Sequence, residues 1–268
     1  MSKLNKALKA FRLILKKPHL LNLINESEEA QQHYVSQKYH LPHGLKTVDF
    51  ADFISTEEEI APYSFLEGSS LPTDFALLKS LCRSTQAKDY LEIGTWRGES
   101  VANVAPLVLQ CYSLNLPDDT MRALGMDEAY IGMHRFFSKD IPNVTHIQAD
   151  SQSFNFSTLQ KKFDVIFIDG DHHTSSIIND TKNAFRLLKD ENSVIVWHDY
   201  GLGTETTRFN VLAGILDGCP ASAIPHLYRV SHTLCAIYTQ KEIKSRSIKP
   251  NSTPSYFFNI KLNVNRIP

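Results

Sequence analysis

From residue 75 onward, apolar and polar positions switch between two periods. Phe75–Leu81 reads as a short amphipathic helix. Tyr90–Ile93 is an apolar run ending at a glycine, which predicts a buried strand. Ser100–Leu109 predicts a helix, and Cys111–Leu116 a strand stopped by Pro117. Asp127–Ser138 is helical in composition, with apolar Ile131, Met133, Phe136 and Phe137, and Val144–Gln148 is the next strand. Asp164–Asp169 is almost wholly apolar until its final carboxylate, as a central parallel strand would be. Ile177–Lys189 places Ile177, Ile178, Thr181, Ala184, Phe185 and Leu188 on one helical face, and Ser193–Trp197 is another buried strand. His226–Val230 and Thr233–Tyr238 are β-rich runs separated by two residues, a terminal antiparallel hairpin. The alternation implies an α/β fold: a mostly parallel sheet with helices on both faces. Residues 25–70 show no clear period. Beyond Lys241 the chain turns polar, with Pro250 and Pro254, as in an arm or a partly ordered tail.

Composition narrows the class. The chain has 268 residues, is 42% hydrophobic and 21% charged, and so can bury a sizeable core. That excludes a disordered or collagen-like chain, and no window offers the roughly 20 consecutive apolar residues of a membrane span. Cys82, Cys111, Cys219 and Cys235 form no CxxC pair. A disulfide scaffold or zinc ribbon is therefore not expected, and a reducing cytosol fits better.

The formal net charge of −1 conceals an asymmetry. Lys3, Lys6, Lys9, Arg12, Lys16 and Lys17 precede any acid. Six more basic residues, from Lys241 to Arg266, face Glu242 alone. The centre is acidic, which argues against a nucleic-acid-binding body. The basic start is interleaved with Leu4, Leu8, Phe11 and Leu15 at helical spacing. It lacks the long apolar region and cleavage site of a secretory signal. Two readings stand: a helix lying on an anionic membrane surface, or a docking helix with a solvated charged face.

In open parallel sheets ligands bind beyond the carboxyl ends of the strands, so the strand ends carry the chemistry. The first ends in Glu92-Ile93-Gly94-Thr95-Trp96-Arg97-Gly98-Glu99-Ser100. Its two glycines permit a tight turn and close approach of a ligand, and the following helix start offers free amides. The spacing is G-x-x-x-G, not the G-x-G-x-x-G of dinucleotide enzymes. The glycines could equally serve only to turn the chain. The second strand ends at Leu114-Asn115-Leu116, where a ribose site usually has a carboxylate. The third ends at Ala149-Asp150-Ser151-Gln152, a polar set able to read an adenine edge. Simple solvation of a strand end is the plainer reading of each.

The fourth strand ends in Asp169-Gly170-Asp171-His172-His173 and the fifth in Trp197-His198-Asp199-Tyr200. Adjacent strands thus bring several carboxylates and imidazoles to one rim. Close carboxylates repel unless neutralised, and a divalent cation is the simplest neutraliser. Alternatively, some of these side chains cap helices, Asp171 being placed for an N-cap.

At these residues the sequence resembles the class I S-adenosylmethionine-dependent methyltransferases, and most closely their metal-dependent O-methyltransferases of the catechol, caffeoyl-CoA and macrocin types. The resemblance spans roughly residues 70–240. YLEIGTWRGES is similar to the first motif, and FDVIFIDGDHH with LLKDENSVIVWHDY to the metal motifs. It implies a Rossmann-like seven-stranded sheet with a C-terminal antiparallel hairpin. It assigns Glu92, Gly94, Thr95 and Gly98 to the cofactor loop, Ser100 to the methionine carboxylate, and Asp150 and Ser151 to the adenine. Asn115 takes the place of the usual ribose acid. Asp169 and Asp199 align with metal ligands, His198 with another that is normally an acid, and His172 with the catalytic base. With Asp169, His172 forms the expected catalytic set. The histidines pull toward the macrocin-like branch.

The resemblance implies methyl transfer from S-adenosylmethionine to a hydroxyl of a sugar, glycan or other small molecule, assisted by magnesium or manganese. A non-nucleic-acid acceptor, a cytoplasmic setting, peripheral membrane contact through the basic start and a homodimer complete the expectation. Residues 1–70 would be a helical extension or lid, 71–240 the methyltransferase domain and 241–268 a basic tail. An NAD-dependent sugar-nucleotide enzyme and a non-catalytic cofactor-binding scaffold are the alternatives.

Overall fold

Nine strands among the described residues join into one sheet, whose central runs are apolar on both sides and are covered by helices on both faces. The computed structural model describes residues 3–17, 27–54, 57–246, 253–254 and 256–267. Five strands lie parallel in the order β4 (Val144–Gln148), β3 (Gln110–Asn115), β2 (Asp89–Ile93), β5 (Val165–Ile168) and β6 (Val194–Trp197). The order reverses between β2 and β5. A ligand crevice is therefore expected where the ends of those two strands diverge.

Next to β6 lies the hairpin of β9 (Leu227–Val230) and β10 (Ala236–Tyr238), antiparallel to each other, with β10 antiparallel to β6. These are the expected seven. β7 (Gly201–Gly203) and β8 (Thr206–Thr207) pair in a separate ribbon, and two more strands extend the main sheet. β1 (Thr47–Val48) runs parallel to β9, and β11 (Ser245–Arg246) closes the edge antiparallel to β1. Both are two residues long, too short for an alternating pattern to reveal.

Alternation along the strands divides the core. Leu91, Ile93, Ile166, Ile168, Ile195 and Trp197 face one side, where α7 (Thr174–Leu187) and α8 (Phe209–Gly218) cover them. Tyr90, Val165, Phe167, Val194 and Val196 face the other, against α3 (Pro72–Ser84) and α4 (Glu99–Val104). Eight of the ten residues of α8 are buried. Its Gly214 and Gly218 let it approach Ile177 and Thr181 on α7, where a Cβ would meet their side chains within 3.0 Å. α2 (Glu28–Tyr39) docks outside α8, with Tyr34, Lys38 and Tyr39 all hydrogen-bonded to Asp217. The other α-helices among the described residues are α1 (Lys3–Lys16), α5 (Asp118–Ala123) and α6 (Glu128–Met133).

Two expected helices are corrected. Ser100–Leu109 is α4 followed by a 3-10 turn, Ala105–Leu107, since Pro106 cannot continue an α-helix. Asp127–Ser138 forms only α6. Beyond it the backbone amides of Arg135 and Phe137 donate to the carbonyls of Trp96 and Arg97, both at 2.8 Å. The glycine loop takes the hydrogen bonds that a longer helix would have used.

Candidate functional site

The loop after β2 is held from below by a buried carboxylate. Glu92 accepts hydrogen bonds from Tyr90 (2.8 Å), Ser100 (2.8 Å) and Thr95 (3.0 Å), all hydroxyls. Burial pushes its pKa up to about 7. Thr95 and Ser100 are buried too, and the Thr95 hydroxyl lies 2.5 Å from that of Ser113. Gly94 has φ +90 and Gly98 φ +79, conformations open chiefly to glycine. A Cβ on Gly94 would overlap the backbone of Asp169 and Gly170. One on Gly98 would overlap Ser138. Close packing therefore requires both glycines.

Arg97 and Glu99, inside the same loop, hold the segment that precedes α3. The two are 3.4 Å apart and each is 5% exposed. Arg97 donates to the carbonyl of Glu67 (2.9 Å) and the hydroxyl of Ser69 (2.7 Å), while Glu99 accepts from the amide of Ser64 (2.6 Å). This ties residues 64–69 to the glycine loop. Gly68 lies beside Trp96, whose ring also meets Tyr130 at 4.1 Å and His134 at 4.6 Å. The Asn115 amide is 2.6 Å from His134 Nδ1, so Asn115 rests on this aromatic group.

Asp150 is exposed, and its carboxylate accepts from the amide of Gln152 (2.9 Å). Ser151 is half-buried, and its carbonyl accepts from Asn179 (3.0 Å). Beneath them sits Asp180 of α7, 1% exposed, with its pKa pushed up to about 6 by burial. Sequence reasoning missed it, although a carboxylate on the apolar face of the Ile177–Lys189 helix was the available signal.

The ends of β5 and β6 converge. Asp169, His172 and Asp199 each offer a ligand atom, and these atoms lie within 4.8 Å of one another. Asp199 has φ +55, a strained conformation for a non-glycine residue, two residues beyond the last residue of β6. His172 Nε2 is 2.5 Å from Asp199 Oδ2, and that bond raises the histidine pKa. His198 is buried. Its Nδ1 lies 3.0 Å from both Asp169 Oδ1 and Asp199 Oδ2, and its Nε2 lies 3.1 Å from Asp74 Oδ2. Burial alone would lower the His198 pKa, but three carboxylates raise it well above the ordinary value. Hydrogen bonds with His172 and then His198 hold Asp199 far below the usual carboxylate range, whereas burial pushes Asp169 up.

The structure thus gathers Asp169, His172, His198 and Asp199 at one rim and adds two residues that sequence reasoning missed. Asp74 reaches His198 from α3, and Arg208 stands 3.4 Å from Asp199. Neither lies in a strand-end motif. Asp171 does not fill the N-cap position, which is His173. Instead Asp171 accepts from Ser176 (2.7 Å) and the His173 amide (3.3 Å), tightening the turn into α7.

Residues 91–200 match a family described as a methyltransferase domain. Uncharacterized protein R132 of Acanthamoeba polyphaga mimivirus is 29% identical over 141 residues. That match covers 50% of this chain and 62% of the relative, so the chain spans less than two thirds of that protein's length. Among solved structures, an O-methyltransferase from Bacillus cereus in complex with SAH is 16% identical, with a TM-score of 0.42 over 79% of this chain and 91% of that one. An SAH-bound methyltransferase of Podospora anserina is 17% identical, with a TM-score of 0.43 over 65% of this chain and 80% of that one.

Proposed function

We propose that this chain, whose residues 91–200 match a methyltransferase-domain family, transfers a methyl group from S-adenosylmethionine to a hydroxyl oxygen of a small molecule or glycan. The observation that carries the proposal is the junction of two groups at the point where strand order reverses. The Gly94 loop lies directly on the backbone of Asp169. The Asp169 side chain belongs to the Asp169–His172–Asp199 cluster. A methyl donor at the loop and an acceptor at the cluster would be neighbours, and positioning is the main source of rate in such a displacement.

The donor set fits a hard divalent cation such as magnesium or manganese: two carboxylates and an imidazole at mutual distances within 4.8 Å. Asp169 and Asp199 would hold it, with His172 or His198 completing the protein ligands. Bound there, the cation would lower the acceptor hydroxyl's pKa and fix its orientation. His198 faces the same two carboxylates. Neutral, it can act as a ligand. Protonated, it clamps them in place of a metal, with Arg208 adding further positive charge. His172 would take the hydroxyl proton. With Nε2 held by Asp199, Nδ1 is the nitrogen left to accept it. Glu92, Thr95 and Ser100 would shape the floor of the donor site, and Asn115, Asp150 and Ser151 its nucleoside end.

Satisfaction of the carboxylates by His198 and Arg208 favours one other reading, a cofactor-binding scaffold that works without metal. Thermal-shift titration separates the two. S-adenosylhomocysteine should raise the melting temperature and NAD should not, since only a ligand of the folded state stabilises it. Manganese should add a further rise. A shift with NAD alone would overturn the proposal, and one with S-adenosylhomocysteine but never with metal would favour the scaffold.

A further inference from the structure

α1 presents an apolar face that nothing among the described residues covers. It has fourteen residues and none is buried. Leu4 is 70% exposed, Leu8 52%, Phe11 60% and Leu15 66%. At about 100° per residue, these four side chains fall within an arc of about 60° on the helix. Lys6, Lys9, Arg12 and Lys16 occupy an arc of about 120° away from it, with Leu13 among them. There is no acidic residue in the helix. Exposed leucines and a phenylalanine would be costly in water if they stayed there permanently.

We infer that α1 lies on an anionic lipid surface, its Leu4–Leu8–Phe11–Leu15 face in the boundary between headgroups and acyl chains. Charge decides the occupant. Packing this face on the α1 of a second copy would bring two all-cationic helices together, with no acid on either to pair. A surface of phosphate and carboxylate headgroups supplies the missing countercharge at every lysine. The long lysine and arginine side chains can lay their apolar stems along the helix and lift their charges to the headgroups. At about 21 Å the helix is too short to cross a bilayer, and no described helix is long and apolar enough to do so. The contact is therefore peripheral. This inference is independent of the proposed chemistry.

Cosedimentation of the full chain with lipid vesicles tests it. Vesicles containing about 30 mol% phosphatidylserine should bind at least about tenfold more strongly than pure phosphatidylcholine, and raising salt to about 0.5 M should remove most of the difference. The double variant Leu8→Glu/Phe11→Glu should lose at least about tenfold in binding to the anionic vesicles while keeping the parent melting temperature, because neither side chain is buried. Equal binding to both vesicle types, or an unaffected double variant, would overturn the inference. So would a drop in melting temperature, which would mean the face is covered. Light scattering gives the rival outcome: a dimer that the double variant splits would assign the face to a second copy.

Discussion

His198 Nε2 lies 3.1 Å from Oδ2 of Asp74, a carboxylate with no exposed surface contributed by a helix 124 residues away in sequence. On its other side His198 meets Asp169 and Asp199. One imidazole therefore links the floor of the sheet to the reactive rim. Asp74 is further anchored by the amides of Leu71 (2.7 Å) and Leu234 (2.9 Å). Replacing His198 by Ala should cost about 3 kcal/mol in the absence of metal, the usual scale for stranding a buried charge. Urea denaturation of the metal-free protein measures it. Unchanged stability would show that His198 does not act as a clamp.

Asp169→Asn and Asp199→Asn separate binding from folding. Each removes an anionic oxygen from the rim and should weaken manganese binding by more than about tenfold, read by calorimetry on the S-adenosylhomocysteine complex. If both variants bind manganese like the parent, the cation is held elsewhere.

His172 is substantially exposed, with 47% of its side-chain surface open, so His172→Ala should leave the melting temperature and S-adenosylhomocysteine affinity unchanged. Methyl transfer near neutral pH should fall by about 10²–10⁴-fold, the ordinary contribution of a positioned base. Since Asp199 raises the His172 pKa, the base form gains population as pH rises. Parent activity should increase through that range while the variant stays flat. Retention of full activity by the variant would remove His172 from the mechanism.

Gly94→Ala meets two obstacles at once: φ +90, and overlap with the backbone of Asp169 and Gly170. Backbone cannot rotate aside as a side chain can. A loss on the order of 3 kcal/mol or more is expected, together with loss of S-adenosylhomocysteine binding. A variant as stable as the parent would mean that β2 and β5 can separate at their ends.

Glu92 gives a pH signature. Its folded pKa, about 7, lies above the model-peptide value of 4.5, so the folded state binds this proton more tightly than the unfolded state. Folding stability from this group is complete below about 4.5 and falls as pH rises toward about 7. Glu92→Gln does not titrate. Its stability relative to the parent should therefore improve with pH across that window, by on the order of 3 kcal/mol. A pH-independent difference between their denaturation midpoints would contradict the burial of an ionisable group here.

The sheet was legible because its strands are short apolar runs ending in polar clusters. Val144–Gln148 is the strand that the pattern marks, residue for residue. The rim was legible for the same reason: Asp169 and Asp199 terminate adjacent strands. α8 was hidden because Val211–Leu216 is a short continuous apolar run, which does not tell a buried helix from a strand. α6 was overextended because composition does not reveal that the backbone of Arg135 and Phe137 would be captured by the glycine loop. Asp74 and Arg208 were hidden because each reaches the rim from outside the motifs. Arg97 and Glu99, inside the first motif, are occupied in holding residues 64–69, a role that depends on contacts 28 to 35 positions away.

The two outermost strands set a practical limit on shortening the chain. β1 comes from before the recognisable motifs and β11 from after them, yet both assemble beside β9, and Arg246 is tied to Asp49 at 2.8 Å across that border. Trimming to residues 71–240 would remove both strands and bare the backbone of β9. Its unsatisfied amides and carbonyls would then be a template for intermolecular pairing. A trimmed protein that keeps residues 27–246, and with them α2 over α8, should stay monodisperse where the shorter one aggregates, even though both retain every residue of the proposed site.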